Sequence, residues 1–313
     1  MRQSAWPVFS VQGHFRKGVK GYVLMMIALV MAVVSPLWAQ DPPVDPIFSD
    51  RFEPFFQDCP DCPTMVKIPA GTFTQGSPES ELQSRNNEWP QREVDIPAFA
   101  MSQTAVTFAQ WEACRADGGC THNPWDKGWG RGDRPVMNVS WNDAQEYVTW
   151  LSDKTGHDYR LPSESEWEYA TRAGTTGRFN TGDCINTDQA NFVGTNPAEG
   201  CPAGIALGQT LPVGSFAPNA FGLLDTHGNL WEWTQDCWND SYSGAPTDGS
   251  AWMMGDCSNA MRRGGGWGNP GDALRSAFRT ATGRQSRSFA IGFRLARSIP
   301  PPLPAVSENG VVD

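Results

Sequence analysis

Apolar residues fall along this chain in short bursts broken by glycine and proline, a pattern of many small elements rather than long helices. Met65–Pro69 and Thr72–Thr74 alternate around Ala70-Gly71 and predict two short strands, with a third over Val94–Met101. Pro78–Arg92 between them is polar and predicts a surface loop. Thr107 with Gln110 forms a capping box ahead of Phe108 and Trp111, and that helix ends before Gly118-Gly119. Ser140 with Asp143 caps a second helix, on which Ala144, Tyr147, Val148 and Leu151 share one face before Gly156 stops it. Ser163 with Glu166 caps a third, which Gly174 ends; Glu164, Glu166 and Glu168 are read as acidic residues suited to a first helical turn. No helix is predicted beyond Gly174. Gly177–Gly214 reads as loop, and Arg275–Thr280 and Gly292–Ala296 as strands with Phe278, Phe293 and Leu295 inward.

Composition sharpens this picture. The 313 residues include 32 Gly, 25 Pro and 14 Trp beside 5 Tyr, and the net charge of -10 argues against a nucleic-acid partner. Arg2, Arg16, Lys17 and Lys20 precede the apolar run Tyr22–Val34 and a cleavage-like Ser35–Ala39. The expected plan is a signal peptide over 1–39, a Pro-rich linker over 40–64, one domain over 65–298 and a polar tail over 299–313. The run is short for a membrane anchor, the competing reading, and no second span follows. The mature product is therefore expected to be secreted or periplasmic. In that compartment the eight cysteines are expected to pair as Cys114–Cys120, Cys184–Cys201 and Cys237–Cys257, with Cys59–Cys62 as a fourth pair or, with Cys114 and Cys120, as zinc ligands.

Familiar chemistry is sparse. There is no G-x-S-x-G elbow and no phosphate-cradling P-loop. His122, His157 and His227 lack metal-site spacing; His227 alone lies beside a stretch of interest. That stretch is Gly222–Asp236, GLLDTHGNLWEWTQD. Its carboxylates, amide and glycine-bent backbone suit a hard cation such as calcium, although a turn leading into a Trp-rich strand needs the same residues.

Six segments in order, MVKIPAGTFTQGS, RPVMNVSWNDAQEYVTWLS, YRLPSESEWEYATRAG, GLLDTHGNLWEWTQD, RRGGGW and IGFRLAR, together resemble the formylglycine-generating enzyme (sulfatase-modifying factor) domain. The resemblance covers about Met65–Ser298. It implies a single mixed α+β domain, low in regular structure, with a C-type-lectin-like core. It also implies structural calcium, held by the backbone oxygens of Asp225, Gly228 and Leu230 and the Glu232 carboxylate. A second calcium would use Asn191 and Phe192. The family oxidises a sulfatase cysteine to formylglycine with copper held by two cysteines; here Asn269 stands at the first, the second falls in Pro270–Leu274, and no cysteine follows Cys257. Copper(I) favours thiolates, so copper is not expected.

Other branches of the resembled superfamily include periplasmic proteins of siderophore maturation and surface-exposed ligand binders. Two functions are therefore expected to compete. One is a calcium-stabilised scaffold binding a peptide, protein or glycan. The other is an enzyme of protein or peptide maturation, of the formylglycine-generating oxidase or siderophore-maturation type, with an unidentified active site. Trp125, Trp129, Trp267, Arg275 and Arg279 are the candidate cleft walls.

Overall fold

The computed structural model describes residues 54–299. The signal peptide, the start of the linker and the tail beyond Ile299 lie outside the described residues. Among the described residues, no helix is long and apolar enough to cross a membrane.

Three sheets and three helices make a mixed α+β domain. The first sheet is antiparallel, with strands β1 (Phe55–Phe56), β2 (Met65–Ile68), β5 (Phe99–Ser102), β11 (Ala296–Ser298) and β6 (Tyr159–Arg160) in that spatial order. The second orders β10 (Ile291–Phe293), β7 (Trp231–Trp238), β8 (Asp256–Arg263) and β9 (Thr280–Gly283), with β10 parallel to β7. Strands β3 (Gly71–Gln75) and β4 (Arg92–Ile96) form a hairpin-like pair. Helices α1 (Phe108–Ala116), α2 (Trp141–Thr155) and α3 (Glu164–Arg172) begin at the three expected N-caps. Each N-cap forms a reciprocal capping box, so two orphan backbone donors per helix are satisfied before any packing occurs. Gly156 ends α2 in the left-handed conformation, but it is Ala173, at φ 46°, that closes α3 ahead of Gly174.

The apolar faces meet as the spacing predicts. Trp111 of α1 stacks on Tyr147 of α2 at 5.9 Å, and Phe293 of β10 meets both rings edge-on. Phe278, Phe293 and Leu295 are all buried.

Several boundaries differ from expectation. Residues 54–64 belong to the domain rather than to a linker: β1 pairs with β2, and Cys62 is buried. Val94–Met101 is two strands, because Pro97 supplies no donor for a ladder. Arg275–Phe278 is loop rather than strand, since the Arg275 and Arg279 side chains are drawn into the interior. The long strand β8 was not anticipated.

The larger correction concerns charge. Glu164 and Glu168 do more than complement a helix dipole. Arg279 grips Glu164 through Nε and Nη2, both at 2.7 Å. Glu168 accepts from Arg172 at 2.9 Å, from the Gly76 backbone at 3.0 Å, and from Arg263. The expected surface loop over 78–92 folds inward at Glu88, whose carboxylate takes Arg275 at 2.6 and 2.8 Å. Glu88, Glu168, Arg263 and Arg275 are all fully buried. Charges taken out of water need partners, and these ion pairs tie α3 to β8 and to the segments on either side of β9.

Candidate functional site

All eight cysteines form disulfides: Cys59–Cys62, Cys114–Cys120, Cys184–Cys201 and Cys237–Cys257. No thiol is free. At the position where the sequence comparison expected a copper cysteine, Asn269 is bound into the structure, its Oδ1 accepting from Trp231 Nε1 at 2.8 Å. Gly271–Leu274 beyond it is a single 3-10 turn without a metal-binding sulfur.

Beside Asn269 lies a partly exposed aromatic cluster. Trp129 and Trp267 meet edge-to-face at 5.2 Å, and Trp125 meets Phe289 at 5.4 Å. Lys127 Nζ lies 5.0–5.6 Å from the rings of Trp129, Phe289 and Trp267. Trp267 Nε1 donates to the Phe289 carbonyl at 2.9 Å, which fixes its ring. Trp125 is 60% exposed. Three of the five expected wall residues, Trp125, Trp129 and Trp267, are thus brought together. Arg275 and Arg279 are not: both are buried in ion pairs and face no cleft. Lys127 and Phe289 escaped the sequence reading, because neither carries a local signal and 162 positions separate them.

The two segments expected to hold calcium lie side by side. Asn191 forms a bridge with Gly228, and a Cβ at Gly228 would sit 2.5 Å from the Asn191 carbonyl, so close approach as well as φ 77° requires glycine there. The donor set differs from the one expected. Glu232 is already neutralised: Arg294 donates to its two oxygens at 2.6 and 2.8 Å, and Trp167 Nε1 donates at 2.7 Å. The carboxylate oxygen left open is Asp225 Oδ1, which is buried and unpartnered, while Oδ2 accepts from Gly214 N at 2.6 Å. Burial pushes the Asp225 carboxyl up to about 6. Asp225 lines a cavity of about 230 Å³ together with Asn180, Asp188 and His227. Asn191 Oδ1 is likewise buried and unpartnered, but the Phe192 carbonyl accepts from Gly194 N at 2.9 Å. Among the described residues, no group of three or more His, Cys, Asp or Glu is placed to hold a metal. Orphaned side-chain oxygens beside main-chain carbonyls nevertheless match the ligand chemistry of a hard cation.

The histidines are structural. His227 is buried, with Nδ1 donating to the Leu274 carbonyl at 2.7 Å and Nε2 accepting from Asn180 N at 3.1 Å. Burial pulls its pKa down to about 4, so the ring is neutral and both nitrogens are occupied. His122 Nε2 lies 3.1 Å from the Asn138 carbonyl, and His157 pairs at 3.6 Å with Asp58.

Comparison with known proteins accounts for this geometry. Residues 51–299 match the sulfatase-modifying factor enzyme 1-like domain. Formylglycine-generating enzyme from Streptomyces coelicolor is 29% identical, over 74% of this chain and 88% of its own. The bovine formylglycine-generating enzyme is 32% identical over 60% of this chain, and the match spans 62% of that relative's length. Among solved structures, PvdO from Pseudomonas aeruginosa superposes with a TM-score of 0.70 at 39% identity, covering 78% of this chain and 98% of PvdO. The ordered motifs, the mixed α+β fold and the matched span agree, and this chain belongs to the sulfatase-modifying factor enzyme 1-like family.

Proposed function

We propose that this chain is a binding member of its family, presenting the aromatic surface beside Asn269 to a peptide or glycan in a secreted or periplasmic setting. One observation carries this reading. Where the resembled oxidases hold copper between thiolates, this chain has an asparagine bound to a tryptophan, flanked by exposed rings and a lysine. Aromatic faces bind sugar rings and apolar peptide side chains, and Lys127 adds a cationic edge. Four disulfides suit an oxidising compartment.

The test is a screen of glycan and peptide arrays with the mature protein. Trp267→Ala is expected to weaken the best ligand by about tenfold, because a lost aromatic contact is worth roughly 1 kcal/mol. Binding unchanged in both Trp267→Ala and Trp129→Ala would remove the reading. A second function, maturation of the bound peptide, is favoured by the relatives being named as enzymes. A mass change in the peptide after incubation would establish it.

Calcium belongs to the same proposal, in a narrowed form. The open oxygens are those of Asp225 and Asn191, so these residues would hold the ion, with Glu232 serving Arg294 instead. Calcium bound to the native state stabilises it by mass action. Chelation is therefore expected to lower the melting temperature, and Asp225→Ala to abolish most of that difference. Glu232→Ala is a poor test, because it also strands the buried Arg294. A chelator-insensitive melting temperature, in protein shown to have held calcium beforehand, would overturn this claim.

A further inference from the structure

Adjacent residues on a strand face opposite ways, and Arg262 and Arg263 of β8 take opposite fates. Arg263 enters the interior and finds Glu164 and Glu168. Arg262 turns to the other side, where its guanidinium lies 4.9 Å from the ring of Trp231. The four fully buried arginines Arg263, Arg275, Arg279 and Arg294 each hold a carboxylate. Arg262 holds none: its Nε is buried and unpartnered, and its side chain has no ion pair or hydrogen bond among the described residues.

Its surroundings continue from the aromatic surface. The Trp231 ring bound to Asn269 is the ring Arg262 covers. Trp231 packs at 5.8 Å on Phe278, over which Arg85 lies at 4.2 Å. The carboxylate in this corner, Asp272, pairs with Arg85 at 3.2 Å. Burial also lowers the Arg262 pKa, as expected for a cation stripped of water without compensation. A half-buried guanidinium laid on an indole keeps its planar fork of donors available to a carboxylate.

We propose that Arg262 is a specificity residue that receives a carboxylate side chain of an acidic peptide bound at the Asn269 surface. This rests on the binding reading above. It adds the ligand's charge and the side chain that reads it, and it requires no metal.

The probes are acetylated, amidated octapeptides in matched pairs, each with a central glutamate or glutamine, titrated against the mature protein by calorimetry. Glutamate members are expected to bind about tenfold tighter than their partners, as a charge-assisted bidentate contact outweighs a neutral one. Arg262→Gln is expected to erase this preference while leaving the glutamine peptides unaffected, and Arg262→Lys to retain part of it. Arg262 carries no ion pair, so both variants should melt as the parent does. Equal binding within the pairs, or a preference that survives Arg262→Gln, would overturn the proposal. If Trp267→Ala weakens both members while Arg262→Gln changes nothing, the binding surface stands and the role of Arg262 falls. If no peptide binds but a sulfated oligosaccharide does, the peptide assignment is wrong.

Discussion

Glu168→Ala is expected to lower the unfolding free energy by about 3–5 kcal/mol, the cost of breaking a buried pair from one side. Glu168 is fully buried on α3, between Arg172 and Arg263, and also accepts from the Gly76 backbone. Its removal leaves Arg263 without its nearest carboxylate and Gly76 N without an acceptor, both out of reach of water. A loss of that size is a large part of a typical domain's stability. Urea titration of the mature protein measures it; a loss under about 1 kcal/mol would mean that solvent reaches the cluster. Acid supplies a second check. Burial works against the Glu168 charge, but Arg172 and Arg263 prevail and hold its carboxyl below the usual 4.5. A depressed carboxylate pKa contributes stability that is complete above the unfolded value and is lost as pH falls through the folded one. Wild-type stability should therefore fall more steeply below about pH 4.5 than that of Glu168→Gln.

Copper, dioxygen and a cysteine-containing sulfatase-motif peptide are expected to give no aldehyde above the copper-free control, read by mass spectrometry. Copper(I) needs soft sulfur ligands, and thiolates rather than disulfides supply them. All eight cysteines are spent in disulfides, and position 269 offers an amide oxygen already accepting from Trp231. Reduction offers little rescue, because Cys237, the most conceivable substitute, is buried beneath its bond to Cys257. Copper-dependent aldehyde formation would return the chain to the oxidase class.

What the sequence determined by itself was local. Thr107, Ser140 and Ser163 each meet their capping partner three residues on, so the helix starts follow from short-range hydrogen bonding that no distant residue can override cheaply. The disulfide pairs were legible for a similar reason, since each closes a loop of at most 20 residues in separation. The family was legible because six motifs kept their order. Tertiary structure decided whatever depended on which partner a charge would find. Glu164 and Glu168 look like ordinary first-turn residues until Arg279 and Arg263 arrive from positions 115 and 95 residues away. Glu232 looks like a calcium ligand until Arg294 takes both its oxygens. Asp225, expected to offer only its backbone, was left with the open carboxylate oxygen. Arg262 and Arg263 are indistinguishable as a dipeptide, and only the pleat of β8 sends one to a carboxylate and leaves the other without one. A chain records which groups can form ion pairs, but desolvation makes the choice, and desolvation exists only once the fold has closed around them.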